Sequence, residues 1–222
     1  MGKIIVSGAS GQFGNAAASQ LLDMGVEVIA LSRSTDKLAD LAARGAEVRQ
    51  ADFDDPAGLK AAMAGGEKLL LISTLDVGRR VAQHKHAIDA AVANGVQHIA
   101  YTSIVGGGLA DHPGIEQHDH YATEQLLEKS GAAFTLLRNS LYAEAVATMM
   151  AIPALLAGHK PENAGNGRVA IVSRDDCVAS AVGVLTQEGH ANRAYDVTGP
   201  ELWTLPDAMG LVSQMSCKPI AI

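Results

Sequence analysis

Cysteine is nearly missing from this chain of 222 residues: Cys177 and Cys217 are the whole supply, and neither stands in a C-x-x-C or other metal-type spacing. That excludes a disulfide or zinc framework and suits a reducing compartment, the cytoplasm. Positive charge is also short, with 17 lysines and arginines against 24 aspartates and glutamates and a net charge of −7. Such a balance argues against nucleic acid, a partner gripped through many phosphates. Long apolar runs are absent too. The first residues, MGKIIVSG, have a strand-length apolar run rather than a signal peptide or membrane span, and Val6 stands where a myristoylation signal after Gly2 wants Ser or Thr. A soluble protein with no membrane partner is expected.

What is present is a globular composition, 48% hydrophobic and 18% charged. Short runs rich in β-branched residues recur: KIIVSG, EVIALS, AEVRQA, KLLLIS, HIAYTS, FTLLRN, RVAIV and AYDVTG. Between most of them lie stretches with helical spacing, at residues 12–24, 36–44, 56–64, 78–94, 118–130 and 175–187. This β-α-β-α alternation predicts an α/β fold, a mostly parallel sheet covered by helices on both faces. Gly25, Gly45, Gly95, Gly131 and Gly189 each follow a helical pattern as stop residues do, and Pro56 suits the first turn of its helix. The glycine-rich loop at residues 104–116 reads as flexible. The weaker alternation over residues 139–170 marks a departure from the main sheet where a substrate-facing lobe could be inserted. No linker composition separates a second domain, so residues 1–222 are expected to form a single domain with small excursions.

Gly8, Gly11 and Gly14 fall between the first strand and the first helix, in GASGQFGN. Glycine at such a turn lets backbone approach a pyrophosphate, and a helix N-terminus offers unpaired N–H groups and positive dipole charge. Ser10, Gln12 and Phe13, which lie between the glycines, join them as expected cofactor contacts. The second strand ends in Ser32 and Arg33, with Lys37 nearby. An acidic residue there would bind the ribose hydroxyls of NAD, whereas a guanidinium grips the extra 2′-phosphate of NADP(H), so NADP(H) is the expected cofactor. Asp52 and Phe53 follow the third strand where adenine would lie, and Ser73, Thr74 and Leu75 end the fourth near the dinucleotide's midsection.

These segments resemble the NmrA-like, atypical short-chain dehydrogenase family, and within it the quinone oxidoreductases related to triphenylmethane reductase. The resemblance rests on GASGQFGN, LSRSTDKLADLAARGAEVRQADFDDPAGL, GGEKLLLIS, HIAYTSIV, HYATEQLLEKSGAAFTLLRNSLYAE and AYDVTGPELWTL, nearly the whole chain. It implies a Rossmann-like doubly wound parallel sheet. Proteins of this kind continue beyond the position of Leu205 through further helices, so the C-terminal substrate lobe, built from residues 139–170 and 200–222, is expected to be small and shortened.

In HDHYATEQLLEKSG, Gln125 stands four residues after Tyr121, where a typical short-chain dehydrogenase carries the lysine that lowers its tyrosine's pKa. The resemblance implies a different pair, His-x-x-x-Glu, matched by His120 and Glu124. Alcohol oxidation needs a base, but a quinone that accepts hydride becomes a comparatively stable phenolate-like anion and takes its proton from water. The expected activity is therefore NADPH-dependent hydride transfer to a quinone or similar small conjugated acceptor. Ser103 and Thr102 end the fifth strand, and Asn139 and Tyr142 follow the sixth. Ser103, His120, Asn139 and Tyr142 are the candidate catalytic groups, and the resemblance puts the segment holding Asn139 and Tyr142 near the nicotinamide. The rival reading is a non-catalytic NADP(H)-binding redox sensor. A sugar-nucleotide epimerase or isoflavone-type reductase would lean on the absent lysine. His84, His86, His112, His118 and His120 include two i,i+2 pairs that do not share a helix face, so no metal site is expected. Met149, Met150 and Trp203 read as packing residues. Homodimer and monomer both stay open.

Overall fold

A computed structural model describes residues 2–112, 114–161 and 164–222. Pro113, in the loop at residues 104–116, and Glu162 and Asn163, in the expected excursion from the sheet, lie outside the described residues. The chain divides into two compact units, Met1–Arg138 with Val178–Asp196, and Asn139–Cys177 with Val197–Ile222.

The first unit holds nearly all of a seven-stranded sheet with the order β3-β2-β1-β4-β5-β6-β7. Its strands are β1 (Lys3–Val6), β2 (Val28–Ser32), β3 (Glu47–Gln50), β4 (Gly66–Leu71), β5 (His98–Ile104), β6 (Ala133–Asn139) and β7 (Arg193–Val197). The pairings of β1 with β2 and β4, of β2 with β3 and of β4 with β5 are all parallel. Strand order reverses between β1 and β4, which opens a crevice at the C-terminal ends of those strands. All five residues of β2 and the last three of β1 and of β4 are buried, as expected of strands covered on both faces. The edge strand β3 instead has Glu47 and Gln50 exposed and Val48 and Arg49 half-buried. Met63, Leu59, Ile88, Ala91, Ile99 and Tyr101 pack with Ile5, Ile29 and Leu69 in one apolar cluster.

The helices of this unit are α1 (Gln12–Asp23), α2 (Ala39–Ala43), α3 (Pro56–Ala62), α4 (Arg80–Ala93), α5 (Ile115–Glu128) and most of α8 (Arg174–Thr186). The expected helix at 36–44 begins as a 3-10 turn over Thr35–Leu38 before α2. Asp55 caps α3 by accepting from the Gly58 amide, and Pro56 occupies its first turn. Each of the five expected stop glycines has a positive φ, from 74° at Gly95 to 97° at Gly45.

The second unit corrects one sequence expectation. Residues 168–172 form no strand; among the described residues Val169 and Val172 make isolated bridges, antiparallel to Trp203 and parallel to Tyr142. A β-branched run became extended backbone without a ladder because its neighbours are short segments rather than strands. The stretch with weak alternation is helical: α6 (Ala143–Ala145), a π-helical turn (Val146–Ala151) and α7 (Ile152–Ala157). Pro153 has no N–H and its ring crowds the carbonyl four residues earlier, and the wider π turn before it relieves both problems. Helix α9 (Leu205–Ser216) starts with a capping box in which Thr204 and Asp207 satisfy each other's backbone amides. Val146, Ala151, Ala154, Ala208 and Met209 form this unit's own apolar core.

Candidate functional site

In the first unit the end of β1 is tied to β4 by Ser7, whose hydroxyl donates to the Leu70 carbonyl (3.0 Å) and accepts from the Ile72 amide (2.8 Å). The chain then turns at Gly8, with φ +59°, a conformation that strains any side chain. The Gly11 amide bonds back to the Gly8 carbonyl at 2.9 Å. A Cβ on Gly14 would lie 2.5 Å from that carbonyl oxygen and 2.9 Å from the Ala9 Cα, so only glycine lets α1 press this closely on the loop. Helix α1 has no side-chain cap and no acidic residue in its first turn. Its positive dipole end therefore faces no capping carboxylate and suits an anion. Ser10, Gly11 and Gln12 are exposed there, while Phe13 is buried beneath. This cradle fits a dinucleotide's pyrophosphate.

At the end of β2, Ser32 donates to the Ser10 hydroxyl (3.0 Å) and accepts the Ser34 amide (3.1 Å), joining the second strand's tip to the glycine loop. Arg33 and Lys37 are exposed, and among the described residues neither forms an ion pair. Asp52 accepts the Asp54 amide, and Phe53, half-buried, accepts from His86 through its carbonyl at 2.8 Å.

After β4 the chain runs through Ser73, Thr74 and Leu75. The Ser73 amide donates to the Thr102 hydroxyl at 2.9 Å. Both backbone groups of Thr74 are held by α4: its amide donates to His84 Nε2 (3.1 Å), and its carbonyl accepts from Arg80 Nε (2.7 Å). Leu75 is 92% exposed. Gly78 is anchored by its amide to the Asp119 carboxylate at 2.9 Å, and the same carboxylate lies 4.0 Å from Arg80 Nη1. Among the described residues the Thr74 hydroxyl and Arg80 Nη1 are buried without a hydrogen-bond partner.

Beneath this loop, His84 is fully buried. Its Nε2 accepts, so Nδ1 carries the proton and donates to Thr123 Oγ1 at 3.0 Å, which in turn donates to the Asp119 carbonyl at 2.8 Å. Burial, reinforced by His120 and the Arg80 charge, pushes the His84 pKa down to about 3. His120 bonds through Nδ1 to the Tyr101 hydroxyl at 2.7 Å, and burial followed by the Arg80 charge lowers its pKa to about 3 as well. Burial raises the Tyr101 pKa, so its phenol keeps its proton.

The pair His120 and Glu124 share a helix face but have separate partners. Glu124, 1% exposed, accepts the Ser103 hydroxyl proton at 2.6 Å and a two-pronged bond from Arg138 at 3.1 and 2.7 Å. The glycine loop after β5 lies on this group. A Cβ on Gly107 would come within 2.8 Å of Ser103 Oγ and 2.9 Å of the Ile104 carbonyl, and one on Gly108 would strike the Arg138 guanidinium.

Asn139 and Tyr142 belong to the second unit. Asn139 donates to the Tyr142 hydroxyl at 2.9 Å, and its own Oδ1 is buried without a partner among the described residues. Burial pushes the Tyr142 pKa up to about 12, and the Arg174 guanidinium stacks 5.6 Å from its ring centre. Trp203, read from sequence as a packing residue, lines an open groove of about 550 Å³ with Leu202, Pro206, Gly210, Leu211 and Gln214.

Sequence reasoning missed Arg80, Tyr101, Asp119, Thr123 and Arg138. A usable signal existed. Arg80 and His84, Asp119 and Thr123, and His120 and Glu124 are polar pairs at i,i+4, which stacks each pair on one helix face.

The family model described as NAD(P)H-binding matches residues 8–188. The quinone oxidoreductase 2 of Escherichia coli (strain K12) is 38% identical over 225 residues, covering 98% of this chain and 76% of that protein. The NAD(P)H azoreductase of Xenophilus azovorans is 28% identical, covering 98% and 75%. Among solved structures, the Escherichia coli NADPH-dependent quinone oxidoreductase complexed with NADPH aligns with a TM-score of 0.90, covering 98% of this chain and 77% of that one, at 38% identity. The Citrobacter sp. triphenylmethane reductase complexed with NADP(H) aligns at 0.87, with 34% identity, 99% of this chain and 78% of that one.

Proposed function

This chain belongs to the NmrA-like family of NAD(P)H-binding proteins, and from that premise we propose that it is an NADPH-dependent reductase delivering hydride to a quinone or similar conjugated acceptor. The observation that carries the cofactor assignment is Arg33, an exposed guanidinium without an ion pair among the described residues, at the tip of β2 beside the Ser32–Ser10 bond that links this tip to the glycine loop. A carboxylate in that position would repel a 2′-phosphate; a guanidinium grips it.

Gly8, Ser10, Gly11, Gln12, Phe13 and Gly14 would hold the pyrophosphate against the uncapped end of α1. Arg33 and Lys37 would take the 2′-phosphate, Asp52 and Phe53 the adenine, and Ser73, Thr74 and Leu75 the midsection. The Thr74 hydroxyl, buried without a partner among the described residues, supplies a hydrogen-bonding atom for the bound molecule. When bound, the nicotinamide supplies the hydride.

Asn139, Tyr142, Ser103 and His120 are the groups assigned to the reacting end. With its pKa near 12, Tyr142 stays protonated at neutral pH and acts as a hydrogen-bond donor rather than a base. Ser103 directs its hydroxyl hydrogen bond to Glu124, so toward an acceptor it offers lone pairs only. His120 is neutral, with Nδ1 engaged by Tyr101. None of these four is placed to act as a strong base, and Gln125 spends its amide on Glu128 at 2.9 Å. That set suits an acceptor whose reduced form is a stable anion and suits alcohol oxidation poorly. We assign the acceptor-facing lobe to the second unit. The acceptor is a small molecule met in the cytoplasm, a setting supported by the two free cysteines. Among the described residues no helix is long and apolar enough to cross a membrane.

Mixing purified protein with NADPH and para-benzoquinone should consume nicotinamide absorbance well above the uncatalysed rate. Arg33→Glu should weaken NADPH binding by about 100-fold, some 2.7 kcal/mol, when measured by calorimetry. An unchanged affinity would remove the basis of the cofactor assignment.

A further inference from the structure

The buried polar cluster between α4, α5 and the loop after β4 ties side chains of two helices to the backbone of one loop. The Thr74 amide and carbonyl are both taken by side chains, His84 Nε2 at 3.1 Å and Arg80 Nε at 2.7 Å. Those two side chains are four residues apart on α4 and therefore share a face. Around them, the Asp76 carboxylate accepts from Gln83 (3.0 Å), the Asp76 carbonyl accepts the Arg80 amide (2.8 Å), and Asp119 takes the Gly78 amide (2.9 Å). The loop is thus clamped at Thr74, Asp76 and Gly78. Leu75, between the clamped positions, is 92% exposed.

We propose that His84 is a positioning residue for the cofactor: by accepting the Thr74 amide it fixes the backbone of the loop that borders the bound dinucleotide. The inference rests on the assignment of Ser73, Thr74 and Leu75 to that border. An imidazole suits the task because its two nitrogens have opposite roles at one site. Nδ1–H is committed to Thr123, whose hydroxyl proton is committed to the Asp119 carbonyl, so only the tautomer with an accepting Nε2 satisfies every group. Helix α5 therefore sets the proton position on a side chain of α4, which in turn sets the loop. The fixed backbone holds the Thr74 hydroxyl, buried and without a partner among the described residues, ready for a ligand. The geometry explains why a fully buried polar side chain stands among alanines on a helix face where leucine would pack.

Two substitutions separate this role from simple packing. His84→Phe keeps a ring of similar size but leaves the Thr74 amide unmet; His84→Gln keeps an accepting oxygen near the place of Nε2. NADPH dissociation constants should rise about tenfold for His84→Phe and stay within about threefold for His84→Gln. Amide hydrogen exchange in the peptide carrying Thr74 should quicken only in the phenylalanine variant, and KM for NADPH should move more than kcat. Folded His84→Phe protein that binds NADPH as tightly as the original overturns the proposal. If His84→Phe does not fold, nitrogen chemical shifts of the unsubstituted protein decide: an Nδ1–H tautomer with a protected Thr74 amide upholds it, and an Nε2–H tautomer overturns it. Should the unsubstituted protein bind no NADPH at all, the functional assignment fails first and takes this inference with it.

Discussion

Glu124 is the residue where burial and charge conflict most sharply, a carboxylate 1% exposed under the glycine loop. Its position is tolerable because Arg138 pairs with both oxygens and Ser103 adds a short donated bond. Replacing it by glutamine keeps the shape but leaves one guanidinium prong facing an amide. Breaking a buried pair costs about 3–5 kcal/mol; with 27% of the Arg138 side chain still exposed, about 2–3 kcal/mol is expected. Thermal unfolding of Glu124→Gln should therefore fall by roughly 5–10 °C. An unchanged midpoint would mean that the pair is energetically idle. The i,i+4 spacing of His120 and Glu124 was visible in the sequence. Their separate partners were not, because Tyr101, Ser103 and Arg138 come from other elements.

At the scale of elements, the loop after β5 has three consecutive glycines with different constraints. Gly106 needs its positive φ of 82°. Gly107 lies over backbone and over the short, tied Ser103 side chain, whereas Gly108 meets only the end of a long arginine. Alanine at 107 should cost about 1–3 kcal/mol because neither neighbour can withdraw, and alanine at 108 should cost clearly less because Arg138 can bend aside. Chemical denaturation of the two variants measures the difference; equal losses would refute this account of the loop. The sequence announced a glycine-rich loop, but the surface it lies on is shared by β5, α5 and β6. The π turn before Pro153 is similar in kind. The proline was legible, whereas the way the helix absorbs it depends on packing within the second unit.

For the whole molecule, three histidines are held neutral by burial. His84 and His120 have pKa values near 3 and His98 one near 4, against 6.5 when unfolded. Their neutral forms belong to the folded state, so their contribution is complete above about pH 6.5 and is lost as pH falls toward 4 and 3. Each extra proton taken up on unfolding contributes about 1.4 kcal/mol per pH unit, so all three together give a slope of about 4 kcal/mol per unit near pH 5. Urea midpoints measured from pH 7 to pH 4 should fall steeply below pH 6, and a flat profile across that range would contradict the burial of these side chains.

Within the first unit, the order of strands and helices along the chain, the glycine cradle and the arginine at the tip of β2 were determined by the sequence alone. Each depends on interactions between near neighbours or on a periodicity that local chemistry imposes: glycine for a turn, proline for a first turn, apolar runs for strands covered on both sides. The clamp on Thr74 was decided only by the tertiary structure, since it joins His84 to Thr123 across 39 positions and Gly78 to Asp119 across 41. A buried hydrogen bond needs both partners at one point in space. Only the packed sheet, with α4 and α5 laid against it, brings those partners together.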